Sequence, residues 1–374
     1  MPQPTDSVRS PGDFIRDELK ARRWTQADLA TILNRPLPTV NRILQGKHGI
    51  MPEMAIALAQ VFGTEPELWL DLESRYRLSL ASDVDPEIRQ RAKLYELAPI
   101  NDLRKRGWID SKGNINHTQS DVLDLLQMSD VDDEPQISAA TRKSNAEIVA
   151  LTTSQRAWCF KSLKLASSLD AKPFNARRMS ACQSAMRELT VDPDSASEVP
   201  AVLASFGIRF LVVEHLTGTK IDGATLWLSS REPVISMSLR YDRVDYFWFT
   251  LFHELSHVRH RDDLSLDAEP DGESTETKSK PEFELRADKE AMEMLVPQKD
   301  LKAFIRKSKP DFKASEISQF ADSIGVHPGI VVGQLQHRGE IAYRGHRSML
   351  VKVRDIVTDA ALTDGWGRSA AGSK

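Results

Sequence analysis

The chain has 374 residues and a formal net charge of −4 at neutral pH, a length that calls for two or three domains, each able to bury its own core. The near balance of charge excludes a uniformly basic nucleic-acid binder, so any basic face must be local. The two cysteines, Cys159 and Cys182, lack metal-type spacing, the first eleven residues are polar, and no apolar run reaches membrane length, which leaves a cytoplasmic protein with reduced thiols and no membrane partner as the expectation.

From Pro11 the sequence reads as five short helices: 12–23, 26–33, 38–45, 52–62 and 65–80. Thr25 caps the second, with Asp28 completing a capping box. Asn34 sits in the turn that follows, where a left-handed backbone is needed, and Gly46 stops the third helix. Two short helices joined by a tight turn suggest helix-turn-helix, the second of them placed to enter a major groove. Between Leu29 and Pro52 there is no carboxylate, whereas Arg35, Arg42, Lys47 and His48 are there. Thr39, Asn41 and Arg42 lie where base edges would be read, and Gln26 and Lys47 suit phosphate contacts. A small helical bundle with exposed arginines fits this stretch about as well.

Residues 83–197 read as a helical linker region, with helices near 88–97, 100–107, 121–126, 158–169 and 175–189. Three strand-like runs follow: 208–213, 224–228 and 234–239. An edge strand there could hold an extended substrate by backbone pairing.

The apolar helix from Val244 to His260 carries His253-Glu254-Leu255-Ser256-His257. Positions four apart share one helix face, so His253 and His257 can offer two ring nitrogens to one metal ion, with Glu254 beside them as a catalytic proton acceptor. The alternative is two core histidines on an amphipathic helix. Glu284, on a second helix that ends at Pro297, supplies a third ligand, which makes the set of a catalytic Zn2+ with one open position. Asp288, one turn on, could accept the N–H of a ligand histidine. Residues 262–284 hold nine acids and two lysines and read as a flexible acidic loop. His327, His337 and His346 are candidate catalytic donors by residue type alone. Residues 363–374 read as a disordered tail.

Two resemblances draw these readings together. Pro11-Gly12-Asp13-Phe14-Ile15, Trp24 to Ala30, Val40 to Lys47 and Met51 to Leu70 resemble the HigA family of helix-turn-helix antitoxins and regulators, over about residues 11–80. Phe249 to His257, Glu284 to Asp288 and Leu295-Val296-Pro297 resemble the ImmA/IrrE family of zinc metallopeptidase-like proteins, over about 200–345. In the first, relatives carry a Gly-containing turn where this chain has Asn34 to Pro38; in the second, they carry Arg where this chain has Trp248. The resemblances imply a multidomain, mainly α protein: a five-helix helix-turn-helix domain, a helical middle region and a C-terminal α+β zincin-like domain with a small sheet. They imply a regulator or antitoxin that binds operator DNA as a homodimer, with a RelE-type toxin as partner, and that carries a zinc-dependent endopeptidase of unknown peptide or protein substrate. The alternatives are a metalloprotease that cleaves a repressor or itself, and a catalytically silent zinc-containing sensor.

Overall fold

Ser10 and Thr25 each open a helix in the same way. In the computed structural model, which describes residues 8–81, 85, 87–110, 112–135, 151–262, 265–268 and 280–365, helix α1 (Pro11–Arg22) starts with a reciprocal Ser10–Asp13 capping box and α2 (Gln26–Ile32) with Thr25–Asp28. These caps satisfy amide donors that have no partner inside the helix. Asn34 takes the left-handed conformation, φ 51°, and turns the chain into α3 (Leu37–Leu44). Helices α4 (Pro52–Phe62) and α5 (Pro66–Leu80) follow, each with proline in its first turn, and Gly63 closes α4 at φ 70°.

Ile15, Leu19, Leu29, Val40, Ile43, Leu58, Phe62 and Trp69 form one core. The Trp69 indole N–H is satisfied by Thr64 Oγ1 at 2.8 Å. Gly12 lies so close to the Leu44 carbonyl that a Cβ there would collide with it. The missing side chain therefore sets how near α1 can come to the end of α3. The unit containing these helices runs from Met1 to Ile88, and a second runs from Arg89 to Lys374.

The boundary falls in the first turn of α6 (Glu87–Leu97), and α7 (Ile100–Lys105), α8 (Ile115–Leu126) and α9 (Thr153–Ala166) follow. Helices α10 (Met179–Glu188) and α11 (Val199–Ser205) lead into strands β1 (Arg209–Val212), β2 (Ile221–Ser229) and β3 (Glu232–Met237). After them come α12 (Val244–His260), β4 (Ser265–Ala268), α13 (Glu282–Leu295), α14 (Gln298–Ser308), α15 (Ala314–Ile324), α16 (Pro328–His337), α17 (Arg354–Ala360) and β5 (Leu362–Thr363).

The five strands make one mixed sheet in the order β4-β2-β3-β1-β5. β1 pairs in parallel with β3 and β5, whereas β2 pairs antiparallel with β3 and β4. Because alternate residues of a strand face opposite sides, the sheet contributes to two cores. Phe210, Val212, Ile235 and Met237 join Phe247, Leu251, Phe252 and Leu255 of α12. Leu211, Val213, Leu226 and Val234 join Trp158, Phe160 and Leu163 of α9. Ser162 and Ser236 pair hydroxyl to hydroxyl at 2.9 Å within that second interface.

Three expectations change here. The helices of residues 83–197 are not a linker between cores: α9 covers one face of the sheet with α6 to α8 packed into the same core, and Met179, Cys182 and Met186 of α10 enter the core on the other face. The acidic loop contains an edge strand, β4, on β2; residues 263–264 and 269–279 of that loop lie outside the described residues. The expected tail from residue 363 starts too early, since Thr363 pairs with Val212, and Asp364 accepts from Arg106 at 2.6 Å and from Trp108 at 3.2 Å. Residues 366–374 lie outside the described residues. Cys159 and Cys182 are free and buried, and burial pushes both thiols up to about 12. Among the described residues no helix is long and apolar enough to cross a membrane.

Candidate metal centre and nucleic-acid interface

Helix α12 is buried over almost its whole length, and His253, Glu254 and His257 are all 0% exposed. The two imidazoles sit one turn apart with their Nε2 atoms 3.0 Å from each other. Glu284, in the first turn of α13, reaches the same point: its Oε2 lies 3.0 Å from His253 Nε2 and its Oε1 3.8 Å from His257 Nε2. The three ligand atoms lie within 4.8 Å of one another. Burial works against charge on Glu284, yet its polar neighbours His253, His257 and Ser265 outweigh it and hold the carboxyl well below its usual range.

The far side of each ring faces a carboxylate. His253 Nδ1 lies 3.1 Å from Asp288 Oδ1, and His257 Nδ1 lies 2.8 Å from Asp262 Oδ2. A carboxylate at Nδ1 places the ring proton there and leaves the Nε2 lone pair for a metal. Two such lone pairs aimed at each other across 3.0 Å, with a carboxylate alongside, repel unless a cation joins them. Two histidines and one carboxylate are also a donor set that Zn2+ takes. The residues present fit the metal.

Glu254 lies against the sheet beside that cluster of ligands. Thr225 Oγ1, on β2, donates to Glu254 Oε2 at 2.6 Å. Gly223 lets β2 approach: a Cβ there would lie 2.9 Å from Glu254 Oε1 and 2.8 Å from Thr250 Cγ2. Ser265 of β4 closes the other side, donating to Glu284 Oε1 at 2.8 Å and lying 2.9 Å from His257 Nε2.

The structure thus brings His253, His257, Glu284 and Asp288 together and keeps Glu254 adjacent. Sequence reasoning missed Asp262, Thr225, Gly223 and Ser265. By sequence Asp262 is one acid of a flexible acidic loop. It folds back because Arg261 takes a left-handed C-cap (φ 58°), after which the Asp262 amide donates to the His257 carbonyl at 3.1 Å. Arg286 then pairs with its carboxylate. An acid immediately after the end of the metal helix was the available signal; nothing local marks Ser265 or Thr225. His260 pairs with Glu290 at 2.8 Å, and His327 caps α16 by accepting from the Gly329 amide at 3.1 Å. Burial lowers the His327 pKa.

In the first unit, Val40, Ile43 and Leu44 of α3 face the core, while Pro38 and Arg42 are exposed and Thr39 and Asn41 are half-buried. Gln26 is exposed at the start of α2, and Lys47 and His48 are exposed just beyond α3. Arg35, Arg42 and Lys47 make no ion pair among the described residues. This surface offers cations and amides without a carboxylate in the intervening sequence.

A helix-turn-helix family model matches residues 15–69. The uncharacterised HTH-type transcriptional regulator YddM of Escherichia coli (strain K12) is 35% identical over 71 residues, which cover 19% of this chain and 76% of that protein. An uncharacterised HTH-type transcriptional regulator of Haemophilus influenzae is 39% identical over 75 residues, 20% of this chain and 70% of that protein. Among solved structures, a HigA-family addiction module antidote protein from Coxiella burnetii is similar at 30% identity over 24% of this chain and 91% of its own, with a TM-score of 0.19. The Pseudomonas aeruginosa antitoxin HigA, solved with the higBA promoter, is similar at 33% identity over 25% and 97%, with a TM-score of 0.19.

Proposed function

The chain belongs to the helix-turn-helix family through its N-terminal residues, and from that premise we propose that it is a transcriptional regulator that binds operator DNA through α3 and carries a zinc metallopeptidase-like second unit. The exposed side of α3 supports the first half. Arg42 is presented to solvent beside Thr39 and Asn41, and Lys47 and Gln26 flank it as phosphate contacts. Arg42→Ala should weaken specific binding and relax sequence preference, whereas Lys47→Ala should weaken all duplexes alike and flatten the salt dependence. Gel-shift titrations on specific and scrambled duplexes read both; unchanged affinity in Arg42→Ala overturns the assignment of α3. The antitoxin role, with a homodimer on DNA and a RelE-type toxin as partner, rests on the resemblance of residues 11–80.

The convergence of His253, His257 and Glu284 supports the second half. Zinc held there would polarise a peptide carbonyl and make water acidic enough to attack near neutral pH. Glu254 would take up and return the proton, one oxygen held by Thr225. Glu254→Gln should keep one zinc per chain and lose cleavage; His257→Ala should lose the metal. Zinc analysis beside a digestion assay separates the two. A second reading, a closed structural or sensory zinc site, is favoured by Ser265, whose hydroxyl lies against two of the ligands. Structural sites are closed and catalytic ones keep an open position. Cleavage that appears only in Ser265→Ala would select the closed site.

A further inference from the structure

Strand β2 has two edges. One is held by β3, so a peptide that adds to the sheet at β2 must use the other. That other edge runs past the candidate metal centre. Gly223 and Thr225 lie against Glu254, and Thr225 donates to its carboxylate. An extended chain paired there would lie alongside His253, His257 and Glu284.

The protein's own β4 is in that place. It runs antiparallel to β2, with Thr225 opposite Ser265, Ala224 opposite Leu266, Gly223 opposite Asp267 and Ile221 opposite Ala268. Successive side chains of a strand point to opposite faces, so Ser265 and Leu266 have different surroundings. Ser265, 1% exposed, turns to the ligands: its hydroxyl donates to Glu284 Oε1 at 2.8 Å and lies 2.9 Å from His257 Nε2. Leu266 packs against the core that contains Ala224 and Leu226. β4 has four residues and β2 has nine. Among the described residues, 226–229 of β2 have no strand partner on the β4 side. A longer peptide therefore offers that edge more backbone pairing than β4 does.

We propose, on the zinc metallopeptidase reading above, that β4 is a built-in competitor of extended peptides. It holds the edge of β2 and presents Ser265 to the ligands. A peptide reaches the centre only in molecules whose β4 has left that edge. No covalent bond changes; one set of backbone hydrogen bonds is exchanged for another.

The test uses the full chain, zinc-loaded, with Ala224→Cys and Leu266→Cys combined. Opposed residues of antiparallel strands have Cα atoms about 4.5 or 5.5 Å apart, inside the roughly 4.4–6.8 Å that a disulfide spans. Oxidation, confirmed by intact mass, pins β4 to β2; reduction releases it with the Leu266 packing gone. Cys159 and Cys182 are buried and stay out of the exchange. The probe is a fluorescein-labelled copy of residues 262–268, Asp-Asp-Leu-Ser-Leu-Asp-Ala. Apparent affinity falls with the fraction of molecules whose edge is open, so the reduced form should bind the probe on the order of tenfold or more tighter than the oxidised form. Zinc content should be the same in both. Leu266→Glu, which adds no thiol, should bind like the reduced form. Equal binding by the oxidised and reduced forms, or no binding by the reduced form and by Leu266→Glu, overturns the competitor. Digestion of the same probe separates this inference from the reading beneath it. Redox-dependent binding without cleavage keeps the competitor and removes the peptidase; cleavage that ignores the redox state removes the competitor and keeps the peptidase.

Discussion

Two carboxylates, one on each of His253 and His257, would decide how well the centre holds a metal. Asp288 reaches His253 from the next turn after Glu284, and it is itself paired with Lys280 at 2.9 Å. Asp262 reaches His257 from just past the end of α12. Neither touches the point where the metal would sit, yet each fixes which ring nitrogen is available. Asp262→Ala and Asp288→Ala should each weaken zinc affinity by roughly 10–100-fold. Competition titration against a chelating dye measures this. Unchanged affinity in Asp262→Ala would mean that its contact with His257 serves the helix end and not the metal.

At the scale of elements, the sequence was legible where local rules decide. The caps at Thr25 and Gly46, the turn at Asn34 and the apolar spacing of α12 all follow from neighbours a few residues away. The five N-terminal helices accordingly lie within one or two residues of where they were expected. The missing pieces are long-range. Ser265 and Thr225 matter only because β4 and β2 are brought beside α12 and α13, and the runs that became β1 and β3 are buried on both faces, so no alternation of polar and apolar residues revealed their partners. The Asn34 turn offers a direct test. A β-branched residue resists positive φ, so Asn34→Val should destabilise the N-terminal unit by about 1–2 kcal/mol, while Asn34→Gly should change little. Chemical denaturation followed by helical circular dichroism reads the difference; equal stability of the two variants would show that the turn relaxes to negative φ.

For the whole molecule, the cores predict how it comes apart. The first unit's core draws on residues 14–72, and the candidate metal ligands belong to the second unit. Metal binding couples to the folding of the unit that supplies the ligands. Removing zinc with a chelator should therefore lower the midpoint of one unfolding transition in calorimetry and leave the other in place. Movement of both, or of neither, would contradict that assignment.

The two-faced sheet also bears on how the gene can be divided. A fragment that begins near residue 200 keeps the candidate metal ligands and the five described strands, but it strips Trp158, Phe160 and Leu163 from Leu211, Val213 and Val234 and leaves an oily surface bare to solvent. A fragment that begins near residue 89 keeps both coats of the sheet. The natural seam for an expression clone thus lies more than a hundred residues upstream of the motif that first draws the eye.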